Sequence, residues 1–524
     1  MKRRPLIFWV LLLAGCIATI WWAFYVPHNP QALFRAIPAQ ASWLTSHENL
    51  ASRWDTISSN PLLASLASAL EVEPEEWEEL AQSEDTRKFL ELLAHDEVVL
   101  AYVPELRATG RPAWVFGSWV GGRSQRFRWM LNSIKDPNLR RAASRNGWNV
   151  WVWTPKGLAD GTRITFALVE GMLVGCIAPD TLGIEDVLMC YDGHLPSLAE
   201  DAEARSALTR DALDWGWVRM PQGNGWGPRI HYALNLQSGG ALAGQLYLPS
   251  APPLSTPAPS ANQLDDFARL LGEHPAAALI VDRALARWWL DGALRSPVGR
   301  EVEALLRGDE SGSVALALVG GAYSGRFMAV RLPALLAAVT SADPVQAAQG
   351  MRSAFDRLNA ATPWGLVPQP VSVGTQRVFA IESTGRSPYA SGDAKERIAY
   401  VPMQQSLAFS SNLETLTKLL REAQQNAGGA ESVLSQGAQR MRDHHALGYL
   451  WINLEEGAKL LRLAVTAWSL KLLVENPQGS QEMRQKLNEA KAWIDAMAPQ
   501  KTLQVWVRPR QDLLEYEFKL GGDE

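Results

Sequence analysis

The chain has 524 residues, 47% of them hydrophobic and 20% charged, with a net charge of −5. That composition describes a folded protein long enough for more than one domain, at roughly 150 residues each. Its slight acidity excludes the basic footprint of a nucleic-acid-binding surface, and three cysteines are too few for a disulfide-stapled scaffold.

Lys2, Arg3 and Arg4 precede an uncharged apolar run over residues 6–26. A helix of roughly 20 apolar residues crosses a bilayer core, and no Lys or Arg follows until Arg35. The asymmetry keeps residues 1–5 in the cytoplasm and exports the remainder. The same stretch has a second reading as a lipoprotein signal, because Leu13-Ala14-Gly15-Cys16 resembles a lipobox and makes Cys16 a lipidation candidate. The apolar run continues through Val26 where a lipoprotein would carry a polar tether, which favours an uncleaved span. Both readings export the remaining chain; the uncleaved span makes this a single-pass inner (cytoplasmic) membrane protein with its bulk on the periplasmic or extracytoplasmic side and residues 27–36 as a tether.

Beyond the tether the chain repeats itself. Pro38-Ala39-Gln40-Ala41, Arg53-Trp54 and Asn60-Pro61 recur as Pro275-Ala276-Ala277-Ala278, Arg287-Trp288 and Ser296-Pro297. RITFALVEGMLVGCIAPDTL (163–182) lies over RIAYVPMQQSLAFSSNLETL (397–416) without a gap, and RIHYALNLQSGGALAGQLYL (229–248) resembles TLQVWVRPRQDLLEYEFKL (502–520). Ordered matches of this kind predict a duplicated domain. PSAPPLSTPAPSAN (249–262) carries five prolines and reads as a stiff linker. The halves are therefore 37–249 and 263–524, joined by residues 250–262.

Within the first half the pattern predicts helices over 62–94, strands at 97–103 and 112–120, and a helix near 124–145. A strand at 148–154 and a hairpin over 163–178 follow, then a helix from Pro179, a strand at 213–219 and a closing hairpin. Hairpins interleaved with helices predict an antiparallel-rich α+β fold. The full expectation is an N-terminal transmembrane helix and two tandem duplicated domains, each a mostly antiparallel sheet with helices. The second half adds a helical insertion at 455–497, whose broad apolar stripe reads as buried. This layout resembles a class of exported, membrane-anchored bacterial proteins of unknown function with repeated hairpin–helix units, a resemblance that implies no activity.

Motifs for metal, nucleotide or nucleophilic chemistry are absent, including HExxH, CxxC, a phosphate-binding loop and GxSxG. No catalytic residue, cofactor or metal ligand is assigned. Cys176 and Cys190 form a candidate disulfide in an oxidising envelope; two small buried side chains that never meet is the alternative.

The 22 tryptophans outnumber Phe and Tyr individually. Trp151 and Trp153 share one face of their strand, as do Trp215 and Trp217 with Arg219 next in line. If those strands are neighbours, these five residues form a partner-binding platform; otherwise the rings fill the core.

The function expected on these grounds is a membrane-tethered envelope binding or assembly module without intrinsic catalysis, with an envelope protein as partner and no nucleic acid. An envelope hydrolase acting on peptide or glycan and an apolar-ligand or lipid-handling protein stand as alternatives.

Overall fold

The computed structural model describes Leu13 and residues 29–69, 72–154, 161–201, 212–220, 229–236, 242–249, 264–271, 275–290, 296–307, 312–327, 330–385, 397–425, 433–443, 445–459, 462, 491, 500–510 and 513–521. The span at 6–26 (Leu13 excepted), the linker at 250–262 and most of the insertion at 455–497 lie outside the described residues. Among the described residues no helix is long and apolar enough to cross a membrane. The chain divides into two compact units, residues 1–59 with 75–235 and residues 60–74 with 236–524.

The elements open with α1 (Pro30–Arg35), β1 (Trp43–Glu48), α2 (Leu50–Ser58), α3 (Pro61–Ala69), α4 (Pro74–Gln82) and α5 (Glu84–Leu93). There follow β2 (Glu97–Val103), β3 (Ala113–Trp119), α6 (Arg123–Ser133), β4 (Leu139–Arg141) and β5 (Val150–Trp153). The first unit closes with β6 (Arg163–Val169), β7 (Met172–Ala178), α7 (Gly183–Tyr191), β8 (Asp214–Arg219) and β9 (Arg229–Leu236).

All ladders of this unit are antiparallel, in the order β4-β5-β6-β7-β3-β2-β1-β8-β9. Strand alternation sorts the side chains between two faces. Val99, Ala101 and Val103 of β2 point into a core covered by α1 and α7, where Leu33, Ile37, Ile184 and Leu188 are fully buried. Helix α1, at residues 30–35, thus fastens the chain to the first unit's core. On the opposite face α6 contributes Phe127 and Leu131, which pack against Phe166, Leu168 and Leu173. The helix expected over 124–145 stops at Ser133, because Ile134 turns extended (ψ 128) and Pro137 soon follows. The chain then returns as β4.

The second unit takes α3 and then runs β10 (Leu242–Pro249), α8 (Asp265–Leu271), β11 (Pro275–Asp282), α9 (Arg283–Leu290), α10 (Pro297–Arg307), β12 (Ser313–Phe327) and β13 (Val330–Thr340). It continues with α11 (Pro344–Ala361), β14 (Leu366–Val373), β15 (Gln376–Ser383), β16 (Ala399–Pro402), β17 (Ser406–Ser410), α12 (Leu413–Gln425) and α13 (Val433–Asp443). β18 (Gly448–Asn453), β19 (Thr502–Arg510) and β20 (Leu513–Leu520) complete it.

Its antiparallel order is β14-β15-β16-β17-β13-β12-β11-β18-β19-β20-β10. Adding ten to each strand number of the first unit reproduces this order through β19. Here α8, α12 and α13 cover one face through Phe267, Leu419 and Met441. Helices α9 and α11 lie over the other, through Leu285 and through Phe355 and Leu358. Strand β10, at the end of the first half in sequence, pairs with β20 from Leu242↔Leu520 to Pro249↔Leu513 and belongs to the second unit. The architecture is α+β, built on antiparallel sheet.

Candidate functional site

The expected tryptophan platform does not assemble. Strand β5 carries Trp151 and Trp153 and β8 carries Trp215, Trp217 and Arg219, and five strands separate them. Six steps at about 4.8 Å each place the two pairs about 29 Å apart. Trp217 is fully buried in the first unit's core, with the Arg229 guanidinium carbon 4.6 Å from its ring centroid. Trp215 packs on the same core and stacks on Phe34 at 5.8 Å. Arg219 donates to the Ala39 carbonyl at 3.0 Å. The β8 residues therefore close the core rather than form one surface with β5.

Cys176 and Cys190 are free, buried thiols, and burial pushes each up to about 12, so both are protonated and unreactive at neutral pH. Cys16 lies outside the described residues.

A concave site does form at the β5 end of the sheet, and it uses one of the expected residues. Between β4 and β5, Arg145 and Trp148 bridge across Asn146 and Gly147, both left-handed at φ 48 and φ 80. Asn-Gly takes that turn with little strain. The turn carries Trp148 and Asn149 to the mouth of a cavity of about 290 Å³, shared with Trp151, with Arg128 and Asn132 of α6, and with Leu168. Trp148 is braced: its ring meets Tyr191 edge-on at 6.2 Å and its Nε1 donates to Asp192 Oδ1 at 3.4 Å. Tyr191 is held in turn by its hydroxyl on Glu170 Oε2 at 2.6 Å and by Arg35 over its ring at 4.8 Å. The Asn149 carbonyl oxygen accepts from Arg141 and Ser144, so its NH₂ is the half left for a ligand.

Arg128 donates to the Leu168 carbonyl at 3.4 Å and makes no ion pair among the described residues. No carboxylate lines the cavity. Arg123 and Arg145 are tied to Asp96 and Glu185. Trp129, on the outer side of α6, is 75% exposed. Arg128, Asn132 and Trp148 belong to no motif in the sequence; the signal that points to them is the Asn-Gly pair before an alternating strand, which marks the turn that carries Trp148 to the cavity.

Two further clusters are structural. Trp114, Tyr102 and Trp43 lie in line across β3, β2 and β1, with the Trp114 ring 5.1 Å from that of Tyr102 and 5.0 Å from that of Trp43, centroid to centroid. Trp43 Nε1 donates to the Tyr232 hydroxyl at 2.9 Å.

Nearby, Thr45 Oγ1 is 3.0 Å from His47 Nε2 and His47 Nδ1 is 2.8 Å from Asp214 Oδ1. The order hydroxyl, imidazole, carboxylate has the form of a nucleophile relay, but Thr45 is only 5% exposed. Arg53 clamps Asp214 through Nη1 at 2.6 Å and Nη2 at 2.8 Å. Burial pushes the Asp214 carboxyl up, and the hydrogen bonds from Arg53 and His47 outweigh it and hold it at about 2. This network pins α2 to the sheet. Among the described residues no three His, Cys, Asp or Glu side chains converge to hold a metal ion.

No protein-family model and no curated protein matches the chain. Two solved structures of TP0453 align with parts of it. Crystal form IV shows 9% identity over 41% of this chain and 80% of that one, and crystal form III shows 10% over 46% and 88%. Each has a TM-score of 0.26.

Proposed function

We propose that the protein is a membrane-tethered binding module of the cell envelope, without intrinsic catalysis, whose ligand sits in the cavity between α6 and the β4–β5 hairpin. The observation that carries this reading is the cavity's chemistry: two indoles, two side-chain amides and one guanidinium that makes no ion pair among the described residues converge there. A few polar groups set among aromatic walls suit orientation and specificity. Among the described residues the lining offers no carboxylate, imidazole, thiol or hydroxyl.

In this reading residues 6–26 span the inner membrane and both units lie outside it. The two units descend from one duplicated domain, a view supported by the coincident strand orders and the ungapped match of 163–182 with 397–416. Hairpins β6–β7 and β16–β17 then occupy the same place. At the site corresponding to Trp151, the second unit stacks Phe379 on buried Tyr400 at 5.0 Å under the longer helix α11. The first copy kept the cavity and the second filled it.

The full chain in detergent, titrated calorimetrically with envelope glycan fragments and peptides, tests the reading. Wild type binds at least one of them. Trp151→Ala and the exposed-site variant Asn132→Asp bind it about thirtyfold more weakly, since an aromatic anchor is worth about 2 kcal/mol or more. Binding to none, or unchanged binding by both variants with unchanged melting, overturns it.

A further inference from the structure

Building on that reading, we infer that the cavity's ligand is an acidic saccharide, with its sugar ring against Trp148 and Trp151 and its carboxylate or phosphate on Arg128. Several observations lead there. Among the described residues Arg128 makes no ion pair and no carboxylate lines the cavity, so an anionic group placed on Arg128 meets a cation, the nearby Asp192 carboxylate being engaged by the Trp148 Nε1.

The amides of Asn132 and Asn149 supply neutral hydrogen-bonding groups at the rim, suited to hydroxyl and acetamido oxygens. At about 290 Å³ the cavity is at the small end of ligand pockets, which run roughly 300–1,000 Å³. That space suits a small ligand such as a single sugar ring.

The carbohydrate edge-and-face chemistry needs a flat apolar wall, and Trp148 is braced to provide one. Its contacts with Tyr191 and Asp192 fix the ring before any ligand arrives, and preorganisation of this kind lowers the entropic cost of binding. Arg rather than Lys at position 128 suits a planar carboxylate or a phosphate, because a guanidinium can offer two parallel donors.

The test uses the full chain in detergent and three soluble probes that share one ring: N-acetylglucosamine, N-acetylmuramic acid, which adds a carboxylate, and N-acetylglucosamine 6-phosphate. An acidic peptide is titrated in parallel. At least one acidic sugar is expected to bind tenfold or more tighter than the neutral one, with the advantage shrinking as salt is raised; the two acidic arms separate carboxylate from phosphate recognition. Arg128→Gln should bring the acidic and neutral sugars within about twofold of each other while leaving the melting temperature unchanged, since Arg128 is exposed and bonds only the Leu168 carbonyl.

Equal binding of neutral and acidic sugars by wild type, or an acidic preference that survives in Arg128→Gln, overturns the inference and leaves the binding-module reading standing. Binding of the peptide and of no sugar does the same. Binding of no probe in either class overturns both.

Discussion

Arg229 lies over the ring of Trp217, with its guanidinium carbon 4.6 Å from the indole centroid and its Nη2 paired with Asp201. Trp217 is fully buried and Arg229 is only 6% exposed, so the cation rests between an aromatic face and a carboxylate in a dry setting, where such a contact is worth about 2 kcal/mol. This arrangement fastens β8 and β9 to the core. Trp217→Ala is expected to lower unfolding free energy by about 3–5 kcal/mol, the range for a large buried aromatic. Urea titration of the wild type and variant measures it. A loss under about 1 kcal/mol would show that the indole is not a core element.

Gly216 sits one residue away, between Thr45 and Tyr232 across the sheet. A Cβ there would collide with the Tyr232 ring and with the Leu44 carbonyl, so only glycine lets Tyr232 cross the strand and receive the Trp43 N–H. Gly216→Ala should cost about 1–3 kcal/mol, as overpacking does. Adding Tyr232→Leu removes the ring but not the carbonyl, so thermal melts of the double variant should show partial recovery only. Full recovery would mean that the backbone contact is not limiting.

Two carboxyls give stability opposite dependences on pH. Burial pushes Glu97 up to about 7, against the hydrogen bond that Ser46 donates at 2.9 Å and with the help of the Glu48 charge directly opposite. A folded-state value raised from 4.5 means the folded state holds the proton more tightly. That stability is complete below about pH 4.5 and is lost as pH rises through about 7, by roughly 2–3 kcal/mol. Glu97→Gln should therefore flatten the decline between pH 5 and 8 and be the more stable form at pH 8. Parallel wild-type and variant profiles would refute this. Asp214, held at about 2, acts in the other sense: its contribution is present above about pH 4 and is lost as pH falls toward 2. Asp214→Asn should remove that acid limb.

The thiols report on both the core and the anchor. Cys176 and Cys190 are buried, free and held near 12, so neither should react with a thiol reagent in the native protein near pH 7. Denatured without reductant, protein purified from membranes should titrate three thiols if residues 6–26 form an uncleaved span. Two would indicate that Cys16 carries lipid, and a count lower by a further two would indicate a Cys176–Cys190 disulfide.

Local pattern was enough for much of the fold. The alternation in VVLAYV places Val99 and Ala101 inward on β2. The 163–178 segment forms the expected hairpin, turning at Glu170 and Gly171, both at positive φ. The acidic run after Pro74 forms α4, with Glu75 and Glu76 in its first turn, where the helix dipole favours them. Each of these depends on residues a few positions apart, and periodicity records such relations directly. The helix expected to reach residue 145 failed for the complementary reason: the β4 hydrogen bonds to β5 outweighed helical propensity in a stretch ended by proline.

The cavity was legible only in pieces. NVWVW and DWGWV show the same alternation of indoles, yet Trp217 is sealed and Trp151 helps to wall a cavity. What separates them is each strand's place in the sheet. Strand β8 lies beside β1, under the core helices, while β5 sits one strand from the edge at the end of α6. That place is set by pairings between residues far apart in the chain, such as Leu44↔Trp217 and Trp151↔Phe166, and nothing local to either tryptophan encodes them. The sequence by itself determined the elements, the α+β class and the inventory of indoles and cations. Which indoles face a ligand and which fill the core, and that Arg128 would meet Trp148, was decided by long-range strand order, because burial belongs to the assembled sheet and not to the strand.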